Sequence, residues 1–179
     1  MSRADLPWSL ALGRRGIILL TDDSLGSRPE ERQLVPVHDA CVRVGVQPVR
    51  MPPTRILIVD DEGPIRRGLT LRLRAEPDLA VVGEAPDGLS AVDSAQRLKP
   101  DLVLMDVRMP GLDGLSAAAL ILASDPGTQV IFLTMHDDAR VRAEAARLGA
   151  AGVVGKQMID EELMATIRAV AANIRSVQE

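Results

Sequence analysis

Residues 102–114 read LVLMDVRMPGLDG. Four apolar side chains run into an acid, Asp106, and the chain then breaks into a Pro/Gly loop. An unbroken apolar run suits a strand covered on both faces, as in a parallel sheet layered with helices. A carboxylate at the end of such a strand is costly unless something there uses its charge. What else lies at that end decides both fold and function.

Similar runs recur on either side: RILIVD (55–60), LAVVGE (79–84), QVIFLT (129–134) and AGVVGK (151–156). A helical pattern follows each. GPIRRGLTLRLRAE (63–76) has Pro64 at a favoured start and Ile65, Leu69 and Leu73 on one stripe. DGLSAVDSAQRLK (87–99) has Asp87 as N-cap and Pro100 just beyond its end. LDGLSAAALILAS (112–124) begins near Asp113 and is stopped by Pro126-Gly127. DDARVRAEAARLG (137–149) is capped by Asp137 or Asp138 and ended by Gly149. DEELMATIRAVAANIRS (160–176) is acidic in its first turn, as the helix dipole favours. Alternating strands and helices with right-handed crossovers predict a doubly wound, three-layer α/β sandwich on a parallel sheet.

The chain has 179 residues, 46% of them apolar, so a sizeable core can form. Trp8 and Phe132 are the only aromatics, which makes that core aliphatic. The net charge of −4 argues against direct nucleic-acid binding, which needs clustered Lys and Arg. The single Cys41 excludes an internal disulfide and suits a reducing cytoplasm. No apolar stretch approaches a membrane span. Residues 1–53 differ from the rest: seven Arg stand against six Asp/Glu, without sustained periodicity, whereas from Thr54 onward the balance is 14 against 19. They are read as an N-terminal extension, either disordered or the product of a misassigned start, with Met51 as an alternative initiator and Pro52-Pro53 as the boundary. Residues 54–176 form the periodic domain.

In doubly wound sheets the site lies beyond the carboxyl ends of the strands. Asp60 and Asp61 end the first run, Asp106 the third, Thr134 the fourth and Lys156 the fifth. Three clustered carboxylates repel unless a cation joins them. All-oxygen ligands with water access suit Mg²⁺. Asp61 and Asp106, with Asp60 helping directly or through water, are its candidate ligands, completed by a backbone carbonyl from the loop after Asp106, that of Arg108. Asp106 is then the candidate nucleophile toward a phosphoryl group, with Lys156 and Thr134 to meet the remaining phosphoryl oxygens.

ILIVDDE, LVLMDVRMPGLDG, VIFLTMHDD and AGVVGK together resemble the four signatures of the receiver domain of two-component response regulators, in family order and spacing, over about Pro53 to Ser176. TMHDD and DEELMATIRAV look most like regulators with a helix-turn-helix output, although none follows here. The resemblance implies a flavodoxin-like fold with strand order 2-1-3-4-5 and a sensor histidine kinase as phosphoryl donor. It implies Asp106 as phospho-acceptor, Asp60 and Asp61 as the Mg²⁺ pair, Thr134 as switch hydroxyl and Lys156 as phosphate-contacting lysine. Three positions depart from the family: Val153 replaces an aromatic, Gln157 a proline, and Met135 a small residue that it is expected to outsize, crowding the entrance.

The expected function is phosphorelay signalling, with self-phosphorylation and self-dephosphorylation at Asp106 and a partner or dimer face near Arg140, Arg142 and Arg147. Alternatives are a phosphorylation-independent pseudo-receiver, a truncated transcriptional regulator, and a dehalogenase-type phosphatase. The last is disfavoured because Arg108 stands where a second acid is needed. Plainer readings cover other residues. Glu62 and Asp101 are solvated loop charges, Met105 and Met109 packing residues, and His136 a surface imidazole. Arg108 is a lid or solvated, and His38 with Cys41 is too sparse for a metal site.

Overall fold

A computed structural model describes residues 8–12, 18–22, 52–135 and 139–177. The chain divides into two units, Met1–Met51 and Pro52–Glu179. In the first, β1 (Trp8–Leu12) and β2 (Ile18–Asp22) pair antiparallel, from Trp8 opposite Asp22 to Leu12 opposite Ile18. The sequence offered no sustained period here, because each strand is only five residues long. Expectations for His38, Cys41, His136, Asp137 and Asp138 lie outside the described residues.

The second unit alternates without a break. Its strands are β3 (Thr54–Val59), β4 (Leu79–Ala85), β5 (Leu102–Asp106), β6 (Gln129–Thr134) and β7 (Gly152–Gly155). Its helices are α1 (Gly63–Arg74), α2 (Gly88–Leu98), α3 (Gly114–Ser124), α4 (Ala139–Arg147) and α5 (Met164–Val177). All five strands are parallel, in the order β4-β3-β5-β6-β7. Counted within this unit, that is the expected order 2-1-3-4-5.

The unbroken apolar runs have the predicted cause. Leu57, Val59, Val103, Met105, Val130 and Phe132 face one layer, packed with Ala91 and Ala95 of α2, Ala117 and Ile121 of α3 and Ala145 of α4. Their neighbours Ile56, Ile58, Leu102, Leu104, Ile131 and Leu133 face the other, against Leu69 and Leu73 of α1 and Ile167 and Val170 of α5. Each fully buried aliphatic side chain contributes about 1.5–3 kcal/mol of burial free energy. Small alanines on α2 and α3 let those helices approach the sheet closely.

The helix ends match their chemistry. Asp87 caps α2 by accepting from Ser90 N at 2.8 Å, and Asp113 caps α3 by accepting from Ser116 N at 2.8 Å. Pro64 sits in the first turn of α1, where its missing N–H costs nothing. Lys99 takes a left-handed conformation (φ 47°) to end α2 ahead of Pro100. The last helix departs from expectation: a 3₁₀ turn at Lys156–Met158 and a π turn at Ile159–Leu163 precede α5. Asp101 is also more than a loop charge. Its Oδ2 accepts from Arg55 N at 2.8 Å and ties the start of β5 to β3.

Candidate functional site

Parallel strands end on one edge, and β3, β5, β6 and β7 lie side by side there. The sheet itself therefore delivers Asp60, Asp106, Thr134 and Lys156 to a common edge. Asp60 is 0% exposed, Asp106 4% and Thr134 1%. Thr134 lies opposite Gly155, immediately before Lys156. Asp61, one residue past Asp60, is exposed.

Lys156 binds the cluster together. Its Nζ is 2.7 Å from Asp60 Oδ2 and 3.2 Å from Asp106 Oδ2, with Glu62 Oε1 at 3.6 Å. Glu62 is thus a half-exposed member of the cluster rather than a bystander. The 2.7 Å contact is an ion pair of poor hydrogen-bond angle, so Asp60 Oδ2 lacks a well-directed donor. The other oxygen of Asp60 accepts from Glu62 N at 2.8 Å.

One buried ammonium thus faces two buried carboxylates. Burial pushes the Asp106 carboxyl above the usual carboxylate range; the charge and hydrogen bond of Lys156 oppose this, and the Asp60 charge adds to it. Burial pulls the Lys156 ammonium down, but its close polar contacts with Asp60 and Asp106 and their charges outweigh it and leave the lysine above its usual value. The pocket holds an excess of negative charge that a cation would relieve.

The geometry fits such a cation. Asp60, Asp61 and Asp106 each offer a carboxylate oxygen, all within 4.8 Å of one another. Hard oxygen donors, one of them exposed and one without a well-directed hydrogen bond, suit a divalent ion that keeps several waters.

The loop after Asp106 keeps the site open. Val107 N donates to Leu133 O at 3.0 Å, and Gly114 N donates to Val107 O at 3.0 Å, so the loop closes on itself. Gly111 takes a left-handed φ of 78° in between. A hollow of about 420 Å³ lies beside it, lined by Val107, Arg108, Met109, Pro110, Asp113 and Leu115. Met105 and Met109 are buried packing residues, as expected. Arg108 is exposed, and its backbone N–H donates toward Asp106.

Gly114 went unrecognised in the sequence. A Cβ there would stand 1.9 Å from the carbonyl oxygen of Asp106, so only glycine lets α3 start against the site. The repeat Gly111-Leu-Asp-Gly114 was the available signal, read only as a turn. Met135 is 59% exposed, so much of it stands in solvent. Val153 is half-buried against the core around Phe132, its partner across the strands.

The family profile described as response regulator receiver domain matches residues 56–168. The chain belongs to the response regulator receiver family. Residues of this receiver are 38% identical over 117 positions to the transcriptional regulatory protein YxjL of Bacillus subtilis, covering 65% of this chain and 54% of that protein. They are 44% identical over 107 positions to protein-glutamate methylesterase/protein-glutamine glutaminase 4 of Myxococcus xanthus, covering 59% of this chain and 30% of that one. The signal receiver domain of the response regulator NarL from Mycobacterium tuberculosis superposes with a TM-score of 0.62 at 31% identity, covering 70% of this chain and 98% of that one. The chain therefore spans about half the first relative and less than a third of the second. It shares with both a receiver of two-component signalling. Among the described residues no helix is long and apolar enough to cross a membrane.

Proposed function

We propose that residues 54–176 act as a Mg²⁺-dependent phosphoryl acceptor for a sensor histidine kinase, with residues 1–53 an extension of this unit. An oxygen of the Asp106 carboxylate attacks the phosphorus of a phosphohistidine. The P–N bond breaks, the imidazole leaves, and an acyl phosphate forms. Water later hydrolyses it, restoring the carboxylate and releasing inorganic phosphate.

Asp60, Asp61, Asp106 and the backbone carbonyl of Arg108 would hold Mg²⁺, which supplies neutralising charge to the phosphoryl oxygens. Lys156 pairs with one of those oxygens and Thr134 donates a hydrogen bond to another. What supports this is the placement of one buried ammonium between the carboxylates of two adjacent strand ends, 2.7 and 3.2 Å away. The ammonium offsets the repulsion between the two carboxylates before reaction, and the same position lets it meet a phosphoryl oxygen on Asp106.

The modified chain signals through a partner or a second copy, with the α4–β7–α5 face as the responding surface, in the cytoplasm. The test is transfer of a labelled phosphoryl group from a phosphorylated kinase or from acetyl phosphate. Label on the parent, lost with EDTA and lost in Asp106→Asn, is expected. Equal label in Asp106→Asn would end the proposal, and no label on the parent would favour a receiver that works without phosphorylation.

A further inference from the structure

Asp61 is the exposed member of the carboxylate trio, and it sits on a turn, where a side chain normally wanders. The residue before it does not. Asp60 N donates to Ala85 O at 3.2 Å, and its Oδ1 accepts from Glu62 N at 2.8 Å. Its carbonyl oxygen accepts from Arg66 Nη1 at 2.6 Å. That last bond fixes the peptide before Asp61, the Glu62 N bond fixes the peptide after it, and the two together set the direction of its Cα–Cβ bond.

Arg66 is held in turn. Its Nε lies 3.7 Å from Glu84 Oε2, with the guanidinium side chain 20% exposed. The other oxygen of Glu84 accepts from Thr70 Oγ1 at 2.8 Å. Thr70 is one helical turn beyond Arg66 and buried. Two residues of α1 thus grip one acid on β4, and the same arginine reaches across to the end of β3. A positive charge beside a cation site would weaken it; Glu84 offsets that charge and lets Arg66 orient without repelling.

We propose that Arg66, neutralised and aimed by Glu84 and Thr70, is a positioning residue that presets Asp61 for the divalent cation. This rests on the reading of the trio as a Mg²⁺ site. Partners outside a metal's own ligands set affinity by fixing ligand direction, and their loss costs about 10–100-fold.

The experiment measures the Mg²⁺ dissociation constant by calorimetry, beside the thermal midpoint without metal, for the full chain. Arg66→Met is expected to weaken Mg²⁺ about tenfold, the low end of that range. Arg66→Lys, which can still donate one bond to the Asp60 carbonyl, recovers part of the loss. Glu84→Gln weakens binding by leaving the guanidinium charge uncompensated. The double variant is no worse than Arg66→Met alone, because Glu84 acts through the arginine. A folded Arg66→Met with the parent's affinity and a lowered midpoint overturns the proposal and makes the network merely structural. Should Arg66→Met not fold, parent-like affinity in both Arg66→Lys and Glu84→Gln overturns it equally. A parent that binds no Mg²⁺ sinks the metal reading itself, and the positioning role with it.

Discussion

Gly114→Ala sets two opposed effects against each other. Alanine is the better helix former, and replacing a helical glycine stabilises by about 0.5–1 kcal/mol. Against this, the new Cβ would lie 1.9 Å from the Asp106 carbonyl oxygen and 2.9 Å from its carbonyl carbon. A carbon settles at about 3.3 Å from a carbonyl oxygen, so α3 or the end of β5 must retreat by roughly 1.4 Å. The opposing atoms are backbone and cannot rotate aside. Forced repacking of this kind costs about 1–3 kcal/mol. The bond from Gly114 N to Val107 O, now 3.0 Å, stretches as well and forfeits up to about 1 kcal/mol. The clash wins, and a net loss of about 1–3 kcal/mol is expected, together with slower phosphoryl acceptance as Asp106 moves. Gly68→Ala is the control. It lies inside α1 with nothing within 4 Å of its virtual Cβ, so only the propensity gain of about 0.5–1 kcal/mol applies. Urea unfolding of both variants decides the matter. A Gly114→Ala protein as stable as the parent would refute the close approach of α3 to the end of β5.

Lys156→Met leaves Asp60 and Asp106 facing each other without a counter-charge; a loss of about 3–5 kcal/mol at neutral pH is expected, regained in part on acidification or with Mg²⁺, by thermal melts. Because the Asp106 carboxyl is raised on folding, the parent's stability should fall as pH climbs from the ordinary carboxylate range through that raised value. Mg²⁺ should therefore raise the melting midpoint more at neutral pH than at acid pH, and a shift independent of pH would contradict the excess-charge picture. On the alkaline side the lysine's contribution is complete below its ordinary value and is lost as pH rises through its elevated one.

What could be read in the sequence was whatever the sheet alone determines. Strands buried on both faces lose their alternation, so LVLMD and QVIFLT announce a parallel, helix-covered sheet without any tertiary contact being known. Once that topology holds, residues at strand ends must meet, and Asp60, Asp106, Thr134 and Lys156 needed only the order of elements to be brought together. Asp87 was legible because a cap acts three residues away, whereas Asp113 was read only as lying near a helix start. Contacts that cross elements with no period to mark them were not. Gly114 faces Asp106 only because α3 starts where it does. Glu84 lies far along the chain from Arg66 and Thr70, and an acid on an edge strand looks solvated until its partners are seen. The π turn before α5 has no sequence marker, since its residues are ordinary helix formers. The antiparallel strands β1 and β2 are each too short for a period to stand out from chance.

The site's unbalanced charge also indicates how a signal leaves it. On the proposed chemistry, phosphorylation would convert Asp106 into a group carrying about −1.5 to −2 charge, while Lys156 would remain a single ammonium shared with Asp60. The lysine must redistribute its contacts. It stands at the first position of the 3₁₀ turn, which passes directly into the π turn at Ile159–Leu163 and then into α5. Neither turn has the hydrogen-bond geometry of a regular α-helix, so this segment yields more readily than the sheet beneath it. Leu163, by contrast, is fully buried beside Ile167 and anchors the helix to the core. Movement of Lys156 would on this reading be absorbed between residues 157 and 162 and delivered to the outer face of α5. Amide exchange with Mg²⁺ and a beryllofluoride mimic of the phosphoryl group should therefore change at residues 157–163 while Gly88–Leu98 of α2 stays as before. A uniform change in both segments would mean that the phosphoryl group tightens the whole domain, and that the irregular turns carry no special share of the signal.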